Sequence, residues 1–143
     1  MPIQFTVLLG ALNALVMPTS TGDGSAAGLV AHISADGATY YRLAVGRFDN
    51  GTEWRLDRVV AGKPTVLARG PASFVAGKPI ALRLDIVGEY HIAYVDGGLV
   101  AQVSDWPDWQ DNNWKAYGPS GIWASGAAVR FDRIAAASYD PAE

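Results

Sequence analysis

With 143 residues, half of them hydrophobic and 17% charged, the chain has enough apolar material to fill one core and too few charges for a mainly disordered polymer. Its 16 Gly and 8 Pro, with little helical periodicity, point to a turn-rich all-β chain. A formal charge of −3 gives no basic footprint for nucleic acid or an anionic membrane, and the absence of cysteine excludes disulfides and thiolate metal sites.

The opening stretch, MPIQFTVLLGALNALVMP, is apolar and uncharged. It lacks the basic start of an export signal and is broken by Gly10, Asn13 and Pro18, so it reads as neither a signal peptide nor a membrane span. If Met1 is the native start, synthesis is cytoplasmic, and an outside target is reached by non-classical release or within a virion. Ile3, Phe5, Val7 and Leu9 alternate with Gln4, Thr6 and Leu8, a period-two strand pattern with both faces fairly apolar. Leu8 to Met17 would tolerate a helix, but Thr6, Val7 and Val16 with Gly10 and Pro18 favour extended chain. Thr19 to Gly28 is a polar, glycine-rich loop.

Gly28 to Ile33 and Thr39 to Phe48 form two strands joined across Ser34 to Ala38, a short connection containing Asp-Gly. The FDNG turn leads into Glu53 to Val60, and Ala61-Gly62-Lys63-Pro64 leads into Thr65 to Arg69. In the first of these strands Trp54, Leu56 and Arg58 oppose Arg55, Asp57 and Val59, which predicts one wet face. Pro79 to Asp105 then reads as a β-meander. Leu82, Leu84 and Ile86 lead to a Gly88-Glu89 turn, a strand through Ile92 to Val95, an Asp96-Gly97-Gly98 turn and a strand from Leu99 to Val103.

The pattern breaks at Trp106 to Pro119, which has neither a helical nor a strand period. Strands resume at Ser120 to Ala124 and, after Ser125-Gly126, at Ala128 to Ser138, with Val129, Phe131 and, after a phase slip, Ile134 facing inward. The tail from Tyr139 leaves the sheet.

GLVAHISADGATYYRL, EWRLDRVVAGKPTVLA, the meander with its Tyr-Val-Asp-Gly turn at Tyr94 to Gly97, and the closing VRFDRI at Val129 to Ile134 occur in an order that resembles the concanavalin A-like jelly roll. That superfamily includes lectins, glucanases, laminin-G-like domains and carbohydrate-binding modules. The resemblance covers about residues 27 to 138 of what reads as one domain, 1–143. It implies a two-sheet antiparallel β-sandwich with a binding site on the concave sheet. Family members carry another strand before the position of Phe5, so the resemblance also implies a sheet that lacks its first strand or is completed by a neighbouring subunit. A homo-oligomer or a larger assembly follows from that edge.

The aromatic loop is the strongest functional signal. Trp106, Trp109, Trp114 and Tyr117 offer faces on which sugar C–H groups stack, and Asp108, Asn112 and Asn113 offer hydroxyl partners. The same rings could instead cap the core, or form a protein contact. Asp105, Asp108 and Asp111 supply hard oxygen donors of the kind calcium takes, although Asp and Asn are also ordinary turn residues. No other cofactor is indicated.

A glucanase of this fold needs two carboxylates about 5 Å apart, placed in an alternating Glu-Asp-Glu run on one strand. No such run exists, and pairings such as Glu53 with Asp57 or Asp85 with Glu89 read as exposed strand charges. His32 and His91 lack a ligand partner at metal-binding spacing and read as sheet residues. The sequence therefore expects a non-catalytic recognition module for carbohydrate, with a virion or cell-surface context. The alternatives are a structural or decoration protein of an assembly that uses the lectin-like fold for subunit contacts, and a glycoside hydrolase.

Overall fold

The computed structural model describes residues 4–6, 10–19, 22–48, 51–87, 89–105, 119–126 and 129–138. Within them eleven strands form two antiparallel sheets, and there is no helix among the described residues. The strands are β1 (Gln4–Thr6), β2 (Gly10–Pro18), β3 (Ala26–Ala31), β4 (Tyr40–Phe48), β5 (Gly51–Val60), β6 (Lys63–Pro71), β7 (Ile80–Val87), β8 (Tyr90–Val95), β9 (Gly98–Ser104), β10 (Pro119–Ser125) and β11 (Val129–Ser138). One sheet runs β1-β10-β3-β4-β5-β6 and the other β11-β2-β7-β8-β9.

Local sequence explains the hairpins. Asp96 and Gly97 at the β8–β9 turn have φ of 51° and 83°, and Ala61 and Gly62 at the β5–β6 turn have 51° and 80°. Two successive positive φ values twist a two-residue turn in the sense of its strands. The sequence expected that freedom from glycine alone; the preceding Asp96 and Ala61 share it. The described parts of the long apolar start, Gln4–Thr6 and Gly10–Pro18, are extended as expected, but they serve both sheets. β1 pairs with β10 in one sheet, and β2 lies between β11 and β7 in the other. The glycine-rich loop is shorter than expected, because Ala26 and Ala27 are buried residues of β3.

Alternation sends Leu12 and Val16 of β2, Leu29 of β3, Leu43 and Val45 of β4, Trp54 and Leu56 of β5, and Leu82, Leu84 and Ile86 of β7 into the space between the sheets. Each such Leu, Ile or Val contributes roughly 2 kcal/mol relative to exposure. Phe74, in the crossover from β6 to β7, fills the same core. The phase slip in the last strand is a bulge between Asp132 and Ala135, and Val129, Phe131 and Ile134 pack on the core as expected. Ile3, Val7 and Leu9, the Gly88 end of its turn and the tail from Tyr139 lie outside the described residues.

Candidate functional site

Because Leu43, Val45, Trp54 and Leu56 face the core, their alternates face away from it. Arg42 and Phe48 of β4 and Glu53, Arg55 and Asp57 of β5 therefore share the open side of the six-stranded sheet. Trp123 of β10 joins them, since its neighbour Ile122 packs on the core. This is not the wet face that strand alternation suggested. Arg42 is 9% exposed, Glu53 7% and Asp57 fully buried.

Small residues make room for these side chains to lie down on the sheet. Gly28 sits opposite Trp123 on one side and Ala44 on the other, and Gly46 lies between Ala26 and Glu53. A Cβ on Gly28 would run into the backbone of Leu43 and Ala44, and one on Gly46 into Ser25 and Ala26. The floor is consequently flat and the charged side chains sink onto it.

Burying charge is tolerable only with partners. The Asp57 carboxylate accepts from Arg42 Nε at 3.1 Å and from its Nη2. The Glu53 carboxylate accepts from Arg55 Nη2 at 2.9 Å and Nε at 3.2 Å, and Arg69 approaches its other oxygen at 3.7 Å. Both inner arginines are braced from the side. Arg42 lies over the Trp123 ring at 4.5 Å, and Arg55 over Phe48 at 4.2 Å. One Asp57 oxygen, Oδ1, has no hydrogen-bond partner among the described residues. Beside this network opens a recess of about 620 Å³ lined by Asp23, Arg42, Arg47, Phe48, Arg55 and Pro64. Arg47 and Asp23 close its rim with a solvent-exposed pair at 3.5 Å.

The loop residues singled out from the sequence, Trp106, Asp108, Trp109, Asp111, Asn112, Asn113, Trp114 and Tyr117, lie outside the described residues. Asp105, at the loop's start, is described. Its carboxylate accepts from Arg58 Nη1 at 2.7 and 2.9 Å and from the Tyr41 hydroxyl at 2.5 Å, so both oxygens are already held by protein donors. Arg58, grouped with Trp54 and Leu56 by alternation, reaches this end of the sandwich rather than its centre.

His32 and His91, far apart in sequence, meet beside Tyr41. The His91 and Tyr41 ring centres are 4.0 Å apart, and those of the two histidines 6.2 Å. His91 is a strand residue as expected, whereas His32 lies just beyond β3 with φ of 55°. Burial holds both below the ordinary histidine range, His32 at about 3 with help from neighbouring His91, and His91 at about 4 despite the Glu89 carbonyl and Asp105. The described residues contain no cluster of three or more metal-ligating side chains.

Sequence reading missed the Arg42, Glu53, Arg55, Asp57 and Trp123 group. The available signal was three charges at successive alternate positions of one strand, opposite an arginine in its hairpin partner. Exposure would have cost nothing there, so the pattern alone looked like solvated surface.

The backbone superimposes on the carbohydrate binding module CBM66 of Bacillus subtilis with a TM-score of 0.76 and 15% identity, over 94% of this chain and 76% of that one. The fold is a concanavalin A-like jelly roll. Sheep galectin-11 gives a TM-score of 0.62 at 9% identity over 96% of both chains. A GH43 protein of Bacillus licheniformis gives 0.65 at 21% identity, but the jelly roll spans only 26% of that longer chain against 86% of this one. No family model and no curated sequence matches.

Proposed function

We propose that this jelly roll is a carbohydrate-recognition module, and that a neutral sugar docks on the open face of its six-stranded sheet. One observation carries the reading: Arg42, Glu53, Arg55 and Asp57 form a nearly buried, charge-balanced network between Trp123 and Phe48. Fixed guanidinium and carboxylate groups suit the paired donors and acceptors of adjacent sugar hydroxyls. The flanking rings suit the sugar's C–H face. Bracing by the arginines fixes both in advance, which lowers the ordering cost of binding. Since Arg42 and Arg55 each donate to a carboxylate, and Arg69 shares Glu53 with Arg55, their charge is largely neutralised and the face suits hydroxyls. Likeness of fold to a carbohydrate binding module and to galectins supports the same reading.

No bond-breaking step is assigned to this face. Glycoside hydrolysis needs one protonated acid and a second carboxylate free to act as nucleophile or base. Glu53 and Asp57 are both held as partners of guanidinium groups.

A glycan array with titration calorimetry on its hits tests the proposal. Trp123→Ala and Arg55→Ala are expected to weaken binding of a neutral glycan at least about tenfold, the effect of removing a stacking ring or a charged hydrogen-bond partner. Wild-type affinity in both variants, with loss in Trp109→Ala or Trp114→Ala, would move the site to the aromatic loop.

A second reading, contact with another subunit, is favoured by the sheet edge. Among the described residues β1 pairs on one side only, with β10. Strand addition there predicts a dimeric mass by light scattering that reverts to monomer when residues 1–6 are deleted.

A further inference from the structure

The five-stranded sheet carries a separate groove on its outer face, over the β2–β7 pair. It has a volume of about 350 Å³, and its walls include Asn13, Leu15, Arg83, Tyr94, Gly97 and Arg133. Asn13 and Arg83 are direct cross-strand partners on its floor. Arg83 is fixed in place, donating from Nε and Nη2 to the two oxygens of Asp85 at 2.7 and 2.9 Å while lying over the Tyr94 ring at 5.1 Å.

Arg133 differs in every respect. It occupies the β11 bulge with φ of 51°, a left-handed conformation that non-glycine residues seldom hold. Its amide donates to the Asp132 carboxylate at 2.9 Å, which locks the distortion. Bulges re-aim side chains, and strained backbone concentrates where a side chain must be presented to a ligand. This one brings Arg133 to the groove. No carboxylate among the described residues pairs with its guanidinium. The side-chain amide of half-buried Asn13 likewise takes part in no hydrogen bond among the described residues.

We propose that this groove is a second ligand site, and that it takes a small molecule bearing one oxyanion, a carboxylate-bearing sugar residue being the size that fits. Arg133, which no described carboxylate pairs, supplies the forked donor that a carboxylate matches. Asn13 supplies a neutral hydrogen-bond partner for a hydroxyl, and the Arg83–Tyr94 stack forms a rigid wall. A volume near the low end for ligand pockets suits a single ring. The site stands apart from the face proposed above, whose Arg42 and Arg55 each donate to a carboxylate, and does not depend on that assignment.

The test is two-dimensional NMR of the full ¹⁵N-labelled chain titrated separately with glucuronate, glucose and sulfate. Glucuronate should shift amides around Asn13, Arg83 and Arg133 and bind at least about tenfold more tightly than glucose, the usual worth of one charged hydrogen-bonded contact. Sulfate should shift the same amides. Arg133→Gly keeps the left-handed backbone while removing the cation, and should abolish the preference for glucuronate; Arg55→Ala should not change it. Equal responses to glucuronate and glucose, shifts confined to β4 and β5, or an unaltered preference in Arg133→Gly would each overturn the proposal.

Discussion

Arg42 is clasped between Trp123 and Asp57: its guanidinium lies 4.5 Å from the indole centre and donates to a carboxylate with no solvent exposure. The two contacts join three strands, β10, β4 and β5, on the open side of one sheet. An arginine braced in this way serves the fold and the face it presents, so its removal should register in both.

Arg42→Ala leaves the Asp57 carboxylate buried without its cation. A loss of about 3 kcal/mol or more is expected, the typical result of breaking a buried pair from one side. The double variant Arg42→Met with Asp57→Leu should recover most of that loss, because no charge then remains buried. Urea denaturation midpoints check both.

Gly28→Ala places a methyl group against the Leu43 and Ala44 backbone, with the Ala44 Cα at 2.6 Å. Backbone atoms in a sheet cannot rotate aside, so the strands must separate. The expected cost is about 3 kcal/mol or greater, at the upper end for overpacking. Ala44→Gly, at the partner position, should cost only about 1 kcal/mol through backbone entropy. Thermal melts distinguish the two.

His32 and His91 make stability depend on pH in a definite direction. Their folded values of about 3 and about 4 lie below the ordinary 6.5. Above pH 6.5 both states are neutral at these positions and the full stability is present. As pH falls below that value the unfolded chain takes up protons that the folded chain refuses. Stability then declines until the folded values are reached, on the order of 1 kcal/mol per pH unit for each histidine. Unfolding free energies measured between pH 7 and about 5, where carboxylates titrate little, should show this slope. A flat profile would refute it.

Tyr41→Phe removes the hydroxyl that donates to Asp105 at 2.5 Å and leaves Arg58 in place. Since the acceptor is charged and Tyr41 is fully buried, a loss of about 2 kcal/mol is expected. Hydrogen exchange should quicken at the Asp105 amide, which donates to the Glu89 carbonyl at 2.9 Å.

Much of this architecture was legible residue by residue. Period-two alternation in Leu82-Leu84-Ile86 set one face of that strand apart, because a strand puts every second side chain on one side whatever its neighbours are. Gly97 after Asp96, and Gly62 before Lys63-Pro64, marked the hairpin turns, and the slip near Ile134 foretold the bulge in β11. Such signals are local, and they survive any choice of sheet order.

Partnership across the sandwich was decided only by tertiary structure. β10 pairs with β3 and β11 with β2, joining residues more than half the chain apart. Those pairings set Trp123 over Arg42, bring Arg133 to the groove floored by Asn13 and Arg83, and, with β8 closing against β7, let His91 meet His32. No period encodes them, because a strand's own alternation is satisfied equally beside any neighbour; the choice is made by burying all the apolar faces at once. The charges of β5 show the same limit. Glu53, Arg55 and Asp57 look solvated in sequence, and it is the glycine floor and the opposing arginine, supplied by other strands, that make them a buried network.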